Sequence, residues 1–156
     1  MQPEGRGGEV RDAILRAFGS LEQPRGAELA PHQCDECDEL RNNLSSHRFD
    51  QVPDEVLDGE YSSLPLLGPL GLQYYLPAYM LRALKQPAWF GVENLLYHLN
   101  ADTSRKPEYW APRLAVFTSQ QRAAVLAFLA WLESISSDAT YISEAIGARE
   151  VWKQAA

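Results

Sequence analysis

The chain has 156 residues, of which 46% are hydrophobic, and this is enough to bury the core of one domain. Its 21 acidic and 14 basic residues give a net charge of -7, which opposes binding to nucleic acid phosphates or anionic lipid. The longest unbroken apolar run, residues 123–132, is about half of the roughly 20 residues that cross a bilayer. The N-terminus lacks the apolar core of a signal peptide. We therefore expect a cytoplasmic protein that binds neither nucleic acid nor membrane.

The N-terminal part of the chain predicts short helices joined by loops. Residues 1–8 are rich in glycine and are predicted to be disordered, which leaves residues 9–156 as one helical domain. Apolar residues at helical spacing predict a first helix that ends near Gly19 and a second over about residues 32–47. Residues 53–57 suit a single helical turn.

Residues 69–85 are predicted to form the central helix of the protein. They are apolar on nearly every side, so a helix made from them has to be covered by others. Pro69 suits the first turn, where its missing N–H costs nothing. Pro77 leaves the carbonyl of Gln73 without its helical donor. The sequence therefore predicts either one helix kinked near Leu76 or two short helices end to end.

The C-terminal part predicts three more helices. Residues 92–99 have the spacing of a short helix, and residues 100–112 are predicted to form a polar loop with two prolines. A capping box at residues 118–121 opens a second buried helix that ends near residue 134. The last helix is expected over residues 139–154.

The fold class predicted by these elements is all-α, because no segment alternates with the period of a strand. We expect an irregular or orthogonal bundle of five to six helices around the kinked central helix. The two buried helices are expected to be covered by each other and by the rest of the protein, with six side chains buried and in mutual reach: Tyr75, Leu76, Tyr79, Val125, Phe128 and Leu129.

Three segments give the chain a family resemblance. They are Cys34-Asp35-Glu36-Cys37, Tyr74-Tyr75-Leu76-Pro77-Ala78-Tyr79-Met80-Leu81 and Phe117-Thr118-Ser119-Gln120-Gln121. Over about residues 30–135 the chain resembles an uncharacterised bacterial family, domain of unknown function 6714. The resemblance implies a small bacterial helical domain. It brings no activity and no catalytic residue.

The two cysteines are the first candidates for chemistry. His32, Cys34 and Cys37 carry ligand types that zinc uses, and a Cys-x-x-Cys pair at a helix start is also a redox arrangement. His47 lies too far along the second helix to share a metal with Cys37. The four carboxylates at residues 35, 36, 38 and 39 disfavour a thiolate. We expect no cofactor, a buried structural Cys37 and a partly exposed Cys34, with metal binding or thiol redox chemistry as the alternatives.

The helix break at Pro77 and the aromatic loops are candidate binding features. A pocket at the kink would use Gln73, Tyr74, Tyr75 and Tyr79; the alternative is that the tyrosine hydroxyls satisfy the break internally. A protein partner would meet Trp89, Phe90, Tyr109 and Trp110 on proline-stiffened loops. The alternative for these four rings is that they fold back as lids over the ends of the bundle.

No nucleophile elbow and no glycine-rich phosphate loop occurs in the sequence. The function expected from these observations is non-catalytic: an acidic helical module that binds another protein. Its charge suits a basic partner, and inhibition of such a partner would make the role immunity-like. The chain is thus not expected to be an enzyme, and no catalytic residue is assigned.

Overall fold

The computed structural model describes residues 3–101 and 106–154, and within these ranges the protein is all-α, as the sequence predicts. The described residues form no β-strand. The eight α-helices found in them are α1 (Pro3–Phe18), α2 (Asp35–Leu44), α3 (Asp54–Gly59), α4 (Pro69–Lys85), α5 (Val92–Leu99), α6 (Pro107–Ala115), α7 (Ser119–Ile135) and α8 (Ala139–Gln154). Single 3-10 turns lie at Gly26–Glu28, Phe49–Gln51 and Leu64–Leu66.

Helix α6 begins inside the segment 100–112, which was predicted to be a polar loop. That prediction is wrong from Pro107 onward. Pro107 occupies the first turn of α6, where the missing N–H is harmless. Pro112 lies inside the helix and costs it a single hydrogen bond, so it does not end it. Together with the short α3, this helix brings the total above the expected five to six.

Helix α4 continues through Pro77, so the prediction of two short helices is wrong. Every residue from 71 to 80 is buried, and this packing holds the helix together where Pro77 removes the donor for the Gln73 carbonyl. A bend near Leu76 stays a prediction.

Helix α1 lies between α4 and α7. It begins at Pro3, within the segment that was predicted to be disordered, and it buries Ile14 and Phe18 completely. It packs along α7 and also against α4, while direct contact between α4 and α7 is slight. All six side chains that were expected to be buried in mutual reach are buried, and α1 covers part of both helices; the mutual reach of these side chains stays a prediction.

The ends of five helices are closed by side chains from other helices. The last carbonyls of a helix have no donor within it, so a buried helix end needs one from elsewhere. Tyrosine, tryptophan and glutamine side chains provide these donors. The bonds are Gln121 Nε2 to Ala17 O (3.2 Å), Tyr75 Oη to Leu44 O (2.9 Å), Tyr79 Oη to Glu60 O (2.7 Å), Trp152 Nε1 to Leu99 O (3.0 Å) and Gln73 Nε2 to Val116 O (2.8 Å).

The capping box that the sequence predicts at the start of α7 is confirmed. Thr118 accepts from the backbone N–H of Gln121, and the Gln121 side chain accepts from the backbone N–H of Thr118. The same Gln121 oxygen also accepts from Gln73 Nε2 at 2.9 Å. One buried glutamine therefore caps α7, closes α1 and contacts α4.

Candidate functional site

A groove of about 900 Å³ lies between α1, α4 and α7, next to α3. Apolar side chains from all four helices line it: Leu15, Leu57, Ala78, Leu81, Leu84, Trp131 and Ile135. Grooves of this volume fall within the usual range of binding sites. The groove is partly open to solvent and is not an enclosed cavity.

The groove exists because the N-terminal turns of α1 carry no side chains there. Gly7 and Gly8 both line it. A Cβ on Gly8 would meet no atom within 4 Å, and one on Gly7 would meet only the Trp131 ring, at 3.5 Å or more. Glycine in a helix is unfavourable by roughly 0.5–1 kcal/mol relative to alanine. Leaving this space open therefore lowers the stability of α1.

Ion pairs organise one edge of the groove. Arg82 lines the groove, is 7% exposed, and pairs with Asp58 at 3.2 Å and with Asp54 at 3.8 Å. Lys85 also pairs with Asp54, at 2.6 Å. The guanidinium of Arg82 lies 5.1 Å above the ring of Trp89, whose Nε1 donates to Asp58 at 2.7 Å. The edge is therefore a fixed network, and it leads from the groove to Trp89.

The two residues of the Trp89-Phe90 candidate have opposite exposures. Trp89 is 2% exposed and belongs to the core, so it does not present a ring to a partner. Phe90 is 58% exposed and contacts the exposed ring of Tyr61 edge-to-face at 5.1 Å. The structure thus places an exposed ring pair, Tyr61 and Phe90, next to the buried Trp89, which Phe90 contacts at 6.0 Å between ring centroids.

Tyr109 and Trp110 lie on α6 and are both half-buried, so their prediction as exposed loop residues is wrong. Tyr109 Oη donates to the carbonyl of Pro65 at 2.9 Å, and Arg113 stacks on its ring at 3.7 Å. Trp110 packs against His98 at 4.8 Å. Burial, and then the nearby Arg113, lower the pKa of His98 to about 4. These contacts fasten α6 to α5 and to the segment before α4, which favours the lid interpretation for this pair.

The four residues of the proposed kink pocket are buried and do not line the groove. Tyr75 and Tyr79 donate to helix-end carbonyls, and Tyr75 also accepts from Gln23 Nε2 at 2.9 Å. Burial, as the largest cause, raises the pKa of Tyr75 to about 12 and raises that of Tyr79 further. Tyr74 stacks edge-to-face on Phe49 and Tyr75, and Gln73 bonds to Gln121. The hydroxyls are satisfied internally, but by other helices and not by the Gln73 carbonyl.

The cysteines lie at the start of α2, away from the residues that line the groove. Cys34 is exposed and is the residue that caps α2, while Cys37 is fully buried. His32 is exposed, and its backbone carbonyl accepts from Arg41. Among the residues that the structure describes, no three His, Cys, Asp or Glu side chains are arranged to hold a metal ion. The structure thus brings Cys34 and Cys37 together and does not add His32 as a third ligand.

The groove was missed by the sequence reasoning. The sequence places Gly7 and Gly8 in a segment predicted to be disordered, and Trp131 and Leu81 on helices predicted to be buried. The signal that the sequence does contain is the pair Arg82 and Lys85, which interrupts the apolar surface of α4 in its last turn.

These observations define an all-α protein whose central helix is buried from residue 71 to residue 80. A groove with charged residues along one edge lies beside this helix. Among the described helices, none is both long and apolar enough to cross a membrane. The chain matches the family of unknown function DUF6714 over residues 10–156 and belongs to that family. No curated protein and no solved structure matches the chain.

Proposed function

We propose that this protein is a non-catalytic binding module that receives an apolar segment of another protein in the groove between α1, α4 and α7. The groove carries this proposal. It is an open channel with an apolar floor and a polar edge, and such a shape suits an amphipathic helix laid along it. The occupant is an amphipathic helix of a basic partner protein.

The charges support a basic partner. The chain has a net charge of -7, which attracts cationic proteins over a distance of about a Debye length. The groove lining itself is mixed: Asp50 and Asp54 lie there beside Arg11, Arg82 and Lys85, so the preference for a basic partner comes from the charge of the whole chain. Complementary charge of this kind raises association rates and selects partners. An inhibitory, immunity-like role follows if the bound segment belongs to the working surface of the partner.

The exposed ring pair extends this surface. Tyr61 and Phe90 adjoin Trp89, which the Arg82–Asp58 network ties to the groove edge. Exposed aromatic rings that are already held in place lose little entropy on binding. We therefore include Phe90 and Tyr61 in the proposed interface, and we leave out Trp89, Tyr109 and Trp110.

The test is selection of a library of randomised 16-residue peptides on the immobilised protein. We expect enriched peptides with apolar residues at helical spacing and an excess of lysine and arginine. Leu81→Glu places a charge on the groove floor and should weaken the best peptide at least about tenfold, which is 1.4 kcal/mol. Leu70→Glu is the matched control, because Leu70 is on the same helix, is exposed, and does not line the groove.

The outcomes separate cleanly once circular dichroism has shown that both variants fold. Equal binding by the two variants would place the binding surface elsewhere and overturn the proposal. Failure to enrich any peptide that binds more tightly than about 100 µM would also overturn it, since helix-in-groove recognition normally exceeds that affinity.

A further inference from the structure

The start of α2 places the sulfur of Cys34 against the backbone of Cys37. Cys34 has an extended backbone and caps the helix: its Sγ accepts from the backbone N–H of Cys37 at 3.4 Å. A cap is usually serine, threonine, aspartate or asparagine, because their oxygens accept strongly. Sulfur is a weak acceptor, so capping alone does not account for a cysteine at this position.

The segment that carries Cys34 is tied to α2 by Arg41. Its guanidinium donates to the backbone carbonyls of Ala30 and His32, and it pairs with Asp38, which lies one turn earlier in α2. Arg41 is 14% exposed, so it is a fixed brace. The segment before α2 and the helix itself are therefore held together, with the Cys34 sulfur on the first turn that carries Cys37.

The two thiols differ in access. Cys34 is exposed, so a small reagent in solution reaches it first, whereas Cys37 is fully buried behind it. Burial, followed by the bond to Cys34, raises the pKa of the Cys37 thiol. This division of roles, an outer attacking thiol and an inner resolving thiol, is what a reversible disulfide needs.

We propose that Cys34 and Cys37 form a reversible intramolecular disulfide by exchange with a small disulfide of the glutathione class. The Cys34 thiolate attacks one sulfur of oxidised glutathione, forms a mixed disulfide and releases one glutathione thiolate. Cys37 then gives its proton to solvent and attacks the Cys34 sulfur, and the second glutathione thiolate leaves. Overall, the protein loses two electrons and two protons, and one oxidised glutathione becomes two reduced molecules.

This inference is independent of the groove. Oxidation would convert the sulfur that caps α2 from a thiol to a disulfide, at the start of the helix whose last carbonyl binds Tyr75 of the core.

The experiment is incubation of the full chain with mixtures of reduced and oxidised glutathione, followed by acid quenching and mass spectrometry. We expect the wild-type protein to lose two hydrogen atoms without keeping glutathione. Cys37→Ser should instead accumulate one bound glutathione at Cys34. Cys34→Ser should stay unmodified, because the remaining thiol is buried.

Labelling of the reduced protein with a maleimide gives the second measurement. Cys34 should react at least about tenfold faster than Cys37. Wild-type protein that keeps bound glutathione as stably as Cys37→Ser would overturn the proposal, since the inner thiol would then fail to close the disulfide. Faster labelling of Cys37 would overturn the assigned roles.

Discussion

The two halves of α4 differ in burial and in role. From Gly71 to Met80 every residue is buried, and the hydroxyls of Tyr75 and Tyr79 are bonded to the ends of other helices. From Leu81 to Lys85 every residue except the buried Ala83 lines the groove, which Ala78 also reaches from the first half, and Arg82 and Lys85 pair with carboxylates of α3. The first half specifies the fold, and the second half presents a surface.

This contrast shows where binding can occur on a helix that is apolar all round. The rings of Tyr74, Tyr75 and Tyr79 in the first half cannot meet a partner, because they are buried, and the hydroxyls of Tyr75 and Tyr79 are bonded to carbonyls at the ends of other helices. Side chains in the second half can still gain contacts. Leu81 and Leu84 are only half-buried, so a bound partner would remove more of their surface from water. The measurements below test whether the two halves differ as described.

The largest effect is expected at Gly71, in the sealed half. A Cβ at this position would lie 2.1 Å from the backbone carbonyl oxygen of Leu29, and backbone cannot move aside as a flexible side chain does. Gly71→Ala should therefore lower the free energy of unfolding by at least about 4 kcal/mol. Urea denaturation followed by circular dichroism measures it.

Gly8→Ala is the control substitution. Gly8 lies on α1 and lines the groove, opposite in environment to the buried Gly71. A Cβ on Gly8 meets no atom within 4 Å, so the change should stabilise α1 by about 0.5–1 kcal/mol through helix propensity. Equal effects of the two substitutions would show that α4 does not approach the Leu29 backbone as closely as the structure has it.

A cavity comparison within α4 gives the next largest effect. Leu76 is fully buried, whereas Leu81 is half-buried at the groove. Leu76→Ala should cost about 3 kcal/mol and Leu81→Ala about 1 kcal/mol, because only the first leaves an enclosed void. Chemical denaturation of both variants checks this, and similar costs would mean that the second half of α4 is as sealed as the first.

Sequence reasoning succeeded where one helix determined its own limits. The bounds of α5 and α8 and the capping box before α7 depend on local spacing and on residues within one turn, so they were predicted. Helix α6 was missed because Pro107 and Pro112 were read as breaks. One lies in the first turn of the helix, and the other costs a single bond.

The groove and the helix-end bonds could not be predicted, because they depend on how distant segments meet. Nothing near Tyr79 in the sequence indicates that its hydroxyl reaches Glu60, and nothing near Gly8 shows that α7 passes beside it. The placement of α1 between α4 and α7 decides both. Helical periodicity gives the apolar face of each helix but not its neighbour.

The smallest expected effect is a pH dependence that belongs to Tyr75. Its pKa is about 12 in the folded protein, compared with an ordinary value of 10, because burial disfavours the charged form. From pH 10 upward the unfolded chain releases this proton while the folded protein keeps it. The contribution to stability is therefore complete below pH 10 and is lost as the pH rises to 12.

Tyr75→Phe should remove this dependence. At pH 8 the variant should already be less stable by about 1–2 kcal/mol, because the hydroxyl's bonds to the carbonyls of Leu44 and His47 and to Gln23 Nε2 are lost. Between pH 8 and pH 11 the wild-type protein should lose about 1 kcal/mol more than the variant, as measured by urea denaturation at both pH values. Tyr79 titrates above this range in both proteins and cancels in the comparison. Tyr97→Phe is the control, since Tyr97 is 77% exposed and should leave the wild-type profile unchanged. Parallel profiles of stability against pH for wild type and Tyr75→Phe would show that the hydroxyl of Tyr75 is open to solvent. The first half of α4 would then not be buried as described.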